Sequence, residues 1–208
     1  MYDPPIMNGG YLTSSNAQVY GGKWEIGALD ELSDDWSGPY YGGDFGFSND
    51  PTAAIECWVN GPYLYISKEA GARKLSLDDT IPFIEKRIPG FGKYVSRWDS
   101  ARPESIDHLK KKGFSRIEAA PKWNGSVEDG IAFIRAFKRI LVHPDCVNVI
   151  EELRTYSYKV DALTGDVLPK LIDGSDHYLD ALRYALAPLI KHPAKFMMYL
   201  TSHARNAA

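Results

Sequence analysis

The stretch Tyr40-Tyr41-Gly42-Gly43-Asp44-Phe45-Gly46-Phe47 sets one carboxylate inside an aromatic run, and that conflict constrains the chain more than any other feature. Aromatic residues at this density fit a pleated, half-buried strand. An unpaired carboxylate is costly there, so Asp44 has to be paired, hydrogen-bonded or bound to a cation. A strand-end aspartate satisfied by turn amides is the plain alternative. The glycines at 42, 43 and 46 leave room for a second backbone or a ligand to come close.

The segments around this strand read as an ordered series. Thr52 to Val59 and Tyr63 to Glu69, joined by the turn Asn60-Gly61-Pro62, predict two further strands and an antiparallel meander. A helix starts at Ser76-Leu77-Asp78-Asp79, carries Ile81, Ile84 and Ile88, and stops at Pro89-Gly90. Lys93 to Asp99 is a strand ending in a carboxylate. A helix opening at Ser100-Ala101-Arg102-Pro103 follows, running to Lys112 and closed by Gly113. Phe114 to Ala119 is a fifth strand, and Ser126 opens a helix with Ile131, Ile134 and Phe137 on one side. After a short strand over Arg139 to His143 come a helix (Pro144 to Arg154) and a hairpin (Tyr156 to Asp161 with Val167 to Ile172). The last helix runs from near Asp173 to about Lys191, burying Leu179, Leu182, Leu186, Leu189 and Ile190. The tail from His192 reads as a weak helix or as partly disordered.

Residues 1–39, rich in Gly, Asn, Ser and Asp, read as a lead-in or linker with at most one short hairpin, so the domain proper is expected over 40–208. Three meander strands followed by alternating helices and strands predict an α/β protein: a mixed sheet flanked by helices on both faces, in the element order of ribonuclease-H-like folds. In that order strand one lies beside and parallel to strand four, which makes Asp44 and Asp99 neighbours.

The last helix supplies the third acidic group. Asp176 and Asp180 are stacked at i and i+4 on the edge of its apolar face, with His177 and Arg183 three residues either side of Asp180. Like charges at this spacing repel, so a cation is expected nearby, from Arg183 or from a metal. Asp176 also suits a helix cap, and His177 a surface or capping histidine. Three converging aspartates suit Mg²⁺ or Mn²⁺, hard cations that prefer oxygen. Two such ions roughly 3.5 to 4 Å apart can activate a water for in-line attack on phosphorus. A Ser-His-Asp hydrolase fits poorly, because there is no G-x-S-x-G elbow and Ser175, His177 and Asp180 crowd one helix start.

Bulk properties narrow the class. With 208 residues, 44% of them hydrophobic, the chain can build one substantial core. No apolar run approaches the roughly 18 residues of a membrane span and no signal peptide opens the chain, so a cytoplasmic protein is expected. Cys57 and Cys146 have none of the paired spacing of zinc or redox motifs and read as buried thiols. The net charge of −3 does not suit a stand-alone nucleic-acid binder. Basic residues nevertheless cluster at Lys110, Lys111, Lys112, Arg116 and Lys122, and again at Arg135, Lys138 and Arg139. The first group is a candidate contact for DNA phosphates, against the plain reading of a solvated face. Weak DNA affinity of the isolated domain is expected.

Three segments then resemble a known family: Gly43-Asp44-Phe45-Gly46-Phe47 with Ser48-Asn49-Asp50-Pro51-Thr52-Ala53; Trp98-Asp99-Ser100-Ala101-Arg102-Pro103-Glu104-Ser105-Ile106; and Asp176-His177-Tyr178-Leu179-Asp180-Ala181-Leu182-Arg183-Tyr184. In this order and at these separations they resemble the C-terminal nuclease domain of the large terminase subunit of tailed bacteriophages, over about residues 40–190. The resemblance implies an Mg²⁺- or Mn²⁺-dependent endonuclease with two ions, cutting concatemeric double-stranded DNA during genome packaging. It implies Asp44, Asp99 and Asp180 as metal-binding carboxylates with His177 close by. Lys122 and Ser126, in Lys122-Trp123-Asn124-Gly125-Ser126-Val127, match a Lys-x-x-x-Ser segment expected near a phosphate, where a helix N-terminus favours an anion in any case. The implied partners are an ATPase domain of the same polypeptide, the portal and the small terminase subunit, in the host cytoplasm. The chain carries no G-x-x-x-x-G-K-[ST] loop, so it reads as the nuclease domain alone, with residues 1–39 descending from the connection to the motor. The alternatives are another ribonuclease-H-like nuclease, such as a resolvase or transposase core, and a non-catalytic docking domain of the packaging motor.

Overall fold

The computed structural model describes residues 16–192 other than 47 and 175. In chain order the elements are β1 (Trp24–Ile26), β2 (Ser37–Asp44), β3 (Thr52–Asn60), β4 (Tyr63–Ala72), α1 (Leu77–Arg87), β5 (Ser96–Trp98), α2 (Pro103–Lys112), β6 (Ile117–Ala119), α3 (Ser126–Ala136), β7 (Arg139–Val142), α4 (Val147–Thr155), β8 (Tyr158–Val160), β9 (Val167–Leu171) and α5 (His177–Lys191). The tail expected beyond His192, the first 15 residues of the lead-in and the Phe47 end of the first predicted strand lie outside the described residues.

Seven strands form one mixed sheet in the order β1-β7-β4-β3-β2-β5-β6. β2, β3 and β4 are the expected antiparallel meander, and β5 lies beside β2 and parallel to it, with Gly43 opposite Trp98. β6 extends this side in parallel, and β7 pairs in parallel with β4 on the other. The connections that return to parallel strands carry the helices, so both faces become covered. The alternating side chains of β3 and β4 divide the core. Ile55, Cys57, Val59, Leu64 and Ile66 pack toward α3, α4 and α5, whereas Ala54 and Ala70 join Tyr41, Phe91, Trp98 and residues of α1 and α2 on the opposite face.

Residues before 40, read as a lead-in, take part in the packing. Val19 and Tyr20 are 1% and 0% exposed, and Tyr20 stacks on Tyr156. β1 forms no hairpin; it pairs in parallel with β7 and becomes an edge of the main sheet. Its three residues are too few to show a period, and the polar residues around it mask the signal. The first meander strand runs from Ser37 to Asp44, so the carboxylate stands at its end, and Asp99 likewise sits one residue past β5. The β8–β9 hairpin forms as expected and carries the 97% exposed Leu163 in its connection. Both cysteines are buried free thiols, and no helix among the described residues is long and apolar enough to cross a membrane.

Candidate metal centre

Strand alternation aims the acidic side chains. Tyr41, Phe45 and Trp98 belong to the core on the α1/α2 face, and a Cβ on Gly43 would collide with the Trp98 indole, so odd-numbered positions of β2 face that way. A Cβ on Gly42 would instead collide with the Ala181 carbonyl of α5, so α5 packs backbone-close against β2 at this glycine. Asp44, two residues on, points to the α5 side by the same period of two, and Asp99 does so by following Trp98. The Asp99 N–H donates to the Gly43 carbonyl at 3.2 Å, which ties the two strand ends together. Asp180, in the first turn of α5, comes over the same sheet edge, as expected from the sequence.

Each carboxylate holds a cation. His177 Nδ1 donates to Asp44 Oδ2 at 2.9 Å, and His177 Nε2 lies 3.3 Å from Asp50 Oδ1. The hydrogen bond to Asp44 pushes the His177 ring up to about 9, so it is charged at neutral pH. Lys122 Nζ forms an ion pair with Asp99 Oδ1, whose other tie is the Ala101 N–H at 3.1 Å. Arg183, itself buried, forms an ion pair with Asp180 through Nη2, and its Nε has no hydrogen-bond partner among the described residues. Gly130 of α3 makes room for the Arg183 stem. Even so, Asp44, Asp176 and Asp180 resist ionisation. Burial raises Asp44 above the usual carboxylate range, Asp180 and Asp99 add to the rise, and the His177 bond opposes it. Burial also raises Asp180 and Asp176, with Arg183 opposing both.

Four carboxylates (Asp44, Asp99, Asp176 and Asp180) thus share two permanent cations and one histidine. Among the described residues, no three His, Cys, Asp or Glu side chains are arranged as a ready-made coordination sphere, because these carboxylates turn toward their organic cations. The donor set is nevertheless the one a hard divalent ion takes: oxygen throughout, with negative charge left over. Asp176 occupies the N-cap position of α5 but makes no capping hydrogen bond.

Sequence reasoning missed Glu152. It is 6% exposed on α4 and accepts from the Tyr178 and Leu179 N–H groups at the start of α5. Burial pushes it up to about 7, against those two amides. Its signal was helical phase, since Glu152, three residues after Val149 and four before Tyr156, borders the buried face of the helix. Asp50, the second partner of His177, was also unassigned.

The basic cluster divides. Lys122 reaches the site directly, and Ser126 is the first residue of α3, after a loop that leaves the sheet beside Asp99; the Ala120 N–H donates to the Trp98 carbonyl at 2.7 Å. Lys110, Lys111, Lys112 and Arg116 do not lie beside the carboxylates as expected. α2 starts just past Asp99 and runs back along the sheet, so its last turn sits a helix length away, about 15 Å for ten residues at 1.5 Å each. Arg116 precedes β6 at that same far end, with its carbonyl accepting from the Ser96 N–H, and Lys111 and Lys112 pair with Asp107 and Asp78. A cleft of about 750 Å³ between the 29–32 segment, β4 and the start of α4 includes none of the three aspartates that β2, β5 and α5 bring together.

Comparison with known proteins places the chain among large terminases. A family model described as "Terminase RNAseH like domain" matches residues 44–188. The terminase large subunit of Bacillus phage SPP1 is 34% identical over 146 residues, and that of the PBSX phage of Bacillus subtilis is 33% identical over 147. The matches take in 68% and 70% of this chain but only 34% and 33% of those relatives, so the chain spans about a third of their length. Among solved structures, the nuclease domain of the SPP1 large terminase with bound Mn superposes with a TM-score of 0.68 at 30% identity, over 79% of this chain and 96% of that one. The P22 large terminase nuclease domain, at 21% identity and a TM-score of 0.61, covers 78% of this chain and 86% of its own and shares the fold.

Proposed function

This chain belongs to the terminase RNase-H-like domain family, and from that premise we propose that Asp44, Asp99 and Asp180 hold Mg²⁺ or Mn²⁺, two ions in all, and that the domain cuts double-stranded DNA for a phage packaging motor. The observation that carries the reading is convergence. Carboxylates from β2, from the residue after β5 and from the first turn of α5 meet at one sheet edge, close enough that Asp180 and Asp99 both act on the ionisation of Asp44. A shared structural ion-pair network needs no such gathering of like charge. The SPP1 nuclease domain, similar over most of this chain, was solved with Mn, and a phage G20c terminase nuclease of the same fold with magnesium.

When bound, the ions supply the means to activate a water and to offset charge on the leaving oxygen. The chain's own residues do the rest. Asp44, Asp99 and Asp180 fix where that chemistry happens, each anchored on a rigid element. His177, between Asp44 and Asp50, holds the Asp44 carboxylate in orientation. Lys122, whose side chain is 46% exposed, is free to leave Asp99 for a DNA phosphate, beside the α3 N-terminus at Ser126. Asp176 adds a fourth acidic group. In the full-length protein the domain works with an ATPase domain of the same polypeptide, the portal and the small subunit, in the host cytoplasm.

The test is cleavage of supercoiled plasmid with Mg²⁺ or Mn²⁺, alone and joined to an ATPase domain. Conversion to nicked and linear DNA is expected, with its loss in Asp44→Ala, Asp99→Ala and Asp180→Ala. Unchanged cutting by Asp99→Ala removes that residue from the mechanism, and metal-independent cutting removes the reading altogether.

A further inference from the structure

The start of α5 is capped from outside its own segment. An N-cap aspartate ordinarily accepts from the second or third amide of its helix, and Asp176 has the right side chain for it. It does not do so. Glu152, in α4, takes those amides instead: Tyr178 N–H donates to Oε2 at 3.0 Å and Leu179 N–H to the same oxygen at 2.9 Å. The Glu152 carboxylate is almost fully enclosed, so its position is set by packing rather than by solvent. α4 is held in the same manner, with Glu69 of β4 accepting from Asn148 N–H at 3.0 Å and Val149 N–H at 2.9 Å.

We infer that Glu152 is a positioning residue of the carboxylate cluster: by capping α5 in place of Asp176, it leaves the Asp176 carboxylate turned toward Asp44 and Asp180 and locks the axial and rotational setting of the helix that carries His177 and Asp180. The inference rests on the metal-binding reading above. Two consequences of the geometry distinguish it from simple support of the fold. Asp176 contributes to cation binding and little to stability while Glu152 is present. Without Glu152, Asp176 turns back to cap its own helix and is withdrawn from the site.

The experiment is a double-mutant cycle on the full chain at pH 8, reading Mn²⁺ affinity by calorimetry and Tm by thermal unfolding. Glu152→Ala is expected to weaken Mn²⁺ binding by on the order of tenfold, the scale of groups that orient metal ligands. Asp176→Ala in the parent chain weakens Mn²⁺ binding and moves Tm by less than about 2 °C. In the Glu152→Ala background the same substitution lowers Tm by about 2–4 °C and costs no further Mn²⁺ affinity. Should Glu152→Ala not fold, Glu152→Leu, which fills the buried site but offers no acceptor to the α5 amides, takes its place in the cycle. Glu152 variants that lower Tm while keeping parental Mn²⁺ affinity overturn the inference, as do additive effects on either readout. A parent chain that binds no Mn²⁺ overturns the metal reading itself and this inference with it. A parent that binds Mn²⁺ normally beside additive Tm shifts overturns this inference alone.

Discussion

Single residues at this centre act through charge more than through packing. Lys122 is the informative one, because it neutralises Asp99 from a half-exposed position and so competes with any divalent ion for that oxygen. Lys122→Met is therefore expected to raise Mn²⁺ affinity in the absence of DNA by no more than about fivefold, the ceiling for such an exposed pair. The same variant is expected to slow plasmid cleavage. Weaker Mn²⁺ binding in calorimetry would contradict the competition. The meeting of Asp44, Asp99 and Asp180 at one sheet edge could be anticipated from the sequence because each is an acidic residue at the edge of an apolar pattern. Glu152 could not, because an acidic residue in a short helix with charged neighbours reads as solvated until its phase against Val149 and Leu153 is counted.

At the scale of elements, the centre depends on how closely α5 can approach β2. Gly42 sets that distance, since a methyl group there meets the α5 backbone rather than a yielding side chain. Gly42→Ala is expected to cost about 1–3 kcal/mol by overpacking and to weaken Mn²⁺ binding as α5 shifts. Gly174→Ala, where an added Cβ meets nothing within 4 Å, is the control and should leave both unchanged. The junction of α4 and α5 also gives the stability a pH dependence. With its carboxyl raised from 4.5 to about 7, the folded chain keeps a proton on Glu152 that the unfolded chain has released. The Glu152 contribution to stability therefore falls as pH rises across that window, by on the order of 3 kcal/mol at most, and levels off above it, where His177, raised to about 9, continues the fall. Asp44, Asp176 and Asp180, also raised by burial, act in the same direction. Denaturant titrations between pH 4.5 and 7 should show this slope, and Glu152→Gln should flatten it.

For the whole molecule, the packing of residues 16–26 has the widest reach. Residues expected to be a linker complete the sheet edge and fill the core through Val19 and Tyr20. Burying two such side chains stabilises by roughly 3–6 kcal/mol, a large share of the 5–15 kcal/mol typical of a domain. A chain beginning at Tyr40 is thus expected to lose cooperative unfolding by circular dichroism, whereas one beginning at Asn16 keeps it. Equal melting of the two would show that the edge strand is dispensable. The mixed sheet with helices on both faces was readable in advance, because its meander, βα alternation and helix stops are local patterns.

What the amino-acid order determined by itself was local: the strand that traps Asp44, the i, i+4 pair on the last helix, the glycines that permit close approach and the order of elements. What only the tertiary structure decided was which distant charges meet. Lys122 pairs with Asp99 while Lys110 to Lys112 lie a helix length away, and Glu152 rather than Asp176 caps α5. Periodicity is a property of a segment and can be read along it, whereas an ion pair or an external cap depends on the relative placement of elements, which the packing of the whole core sets.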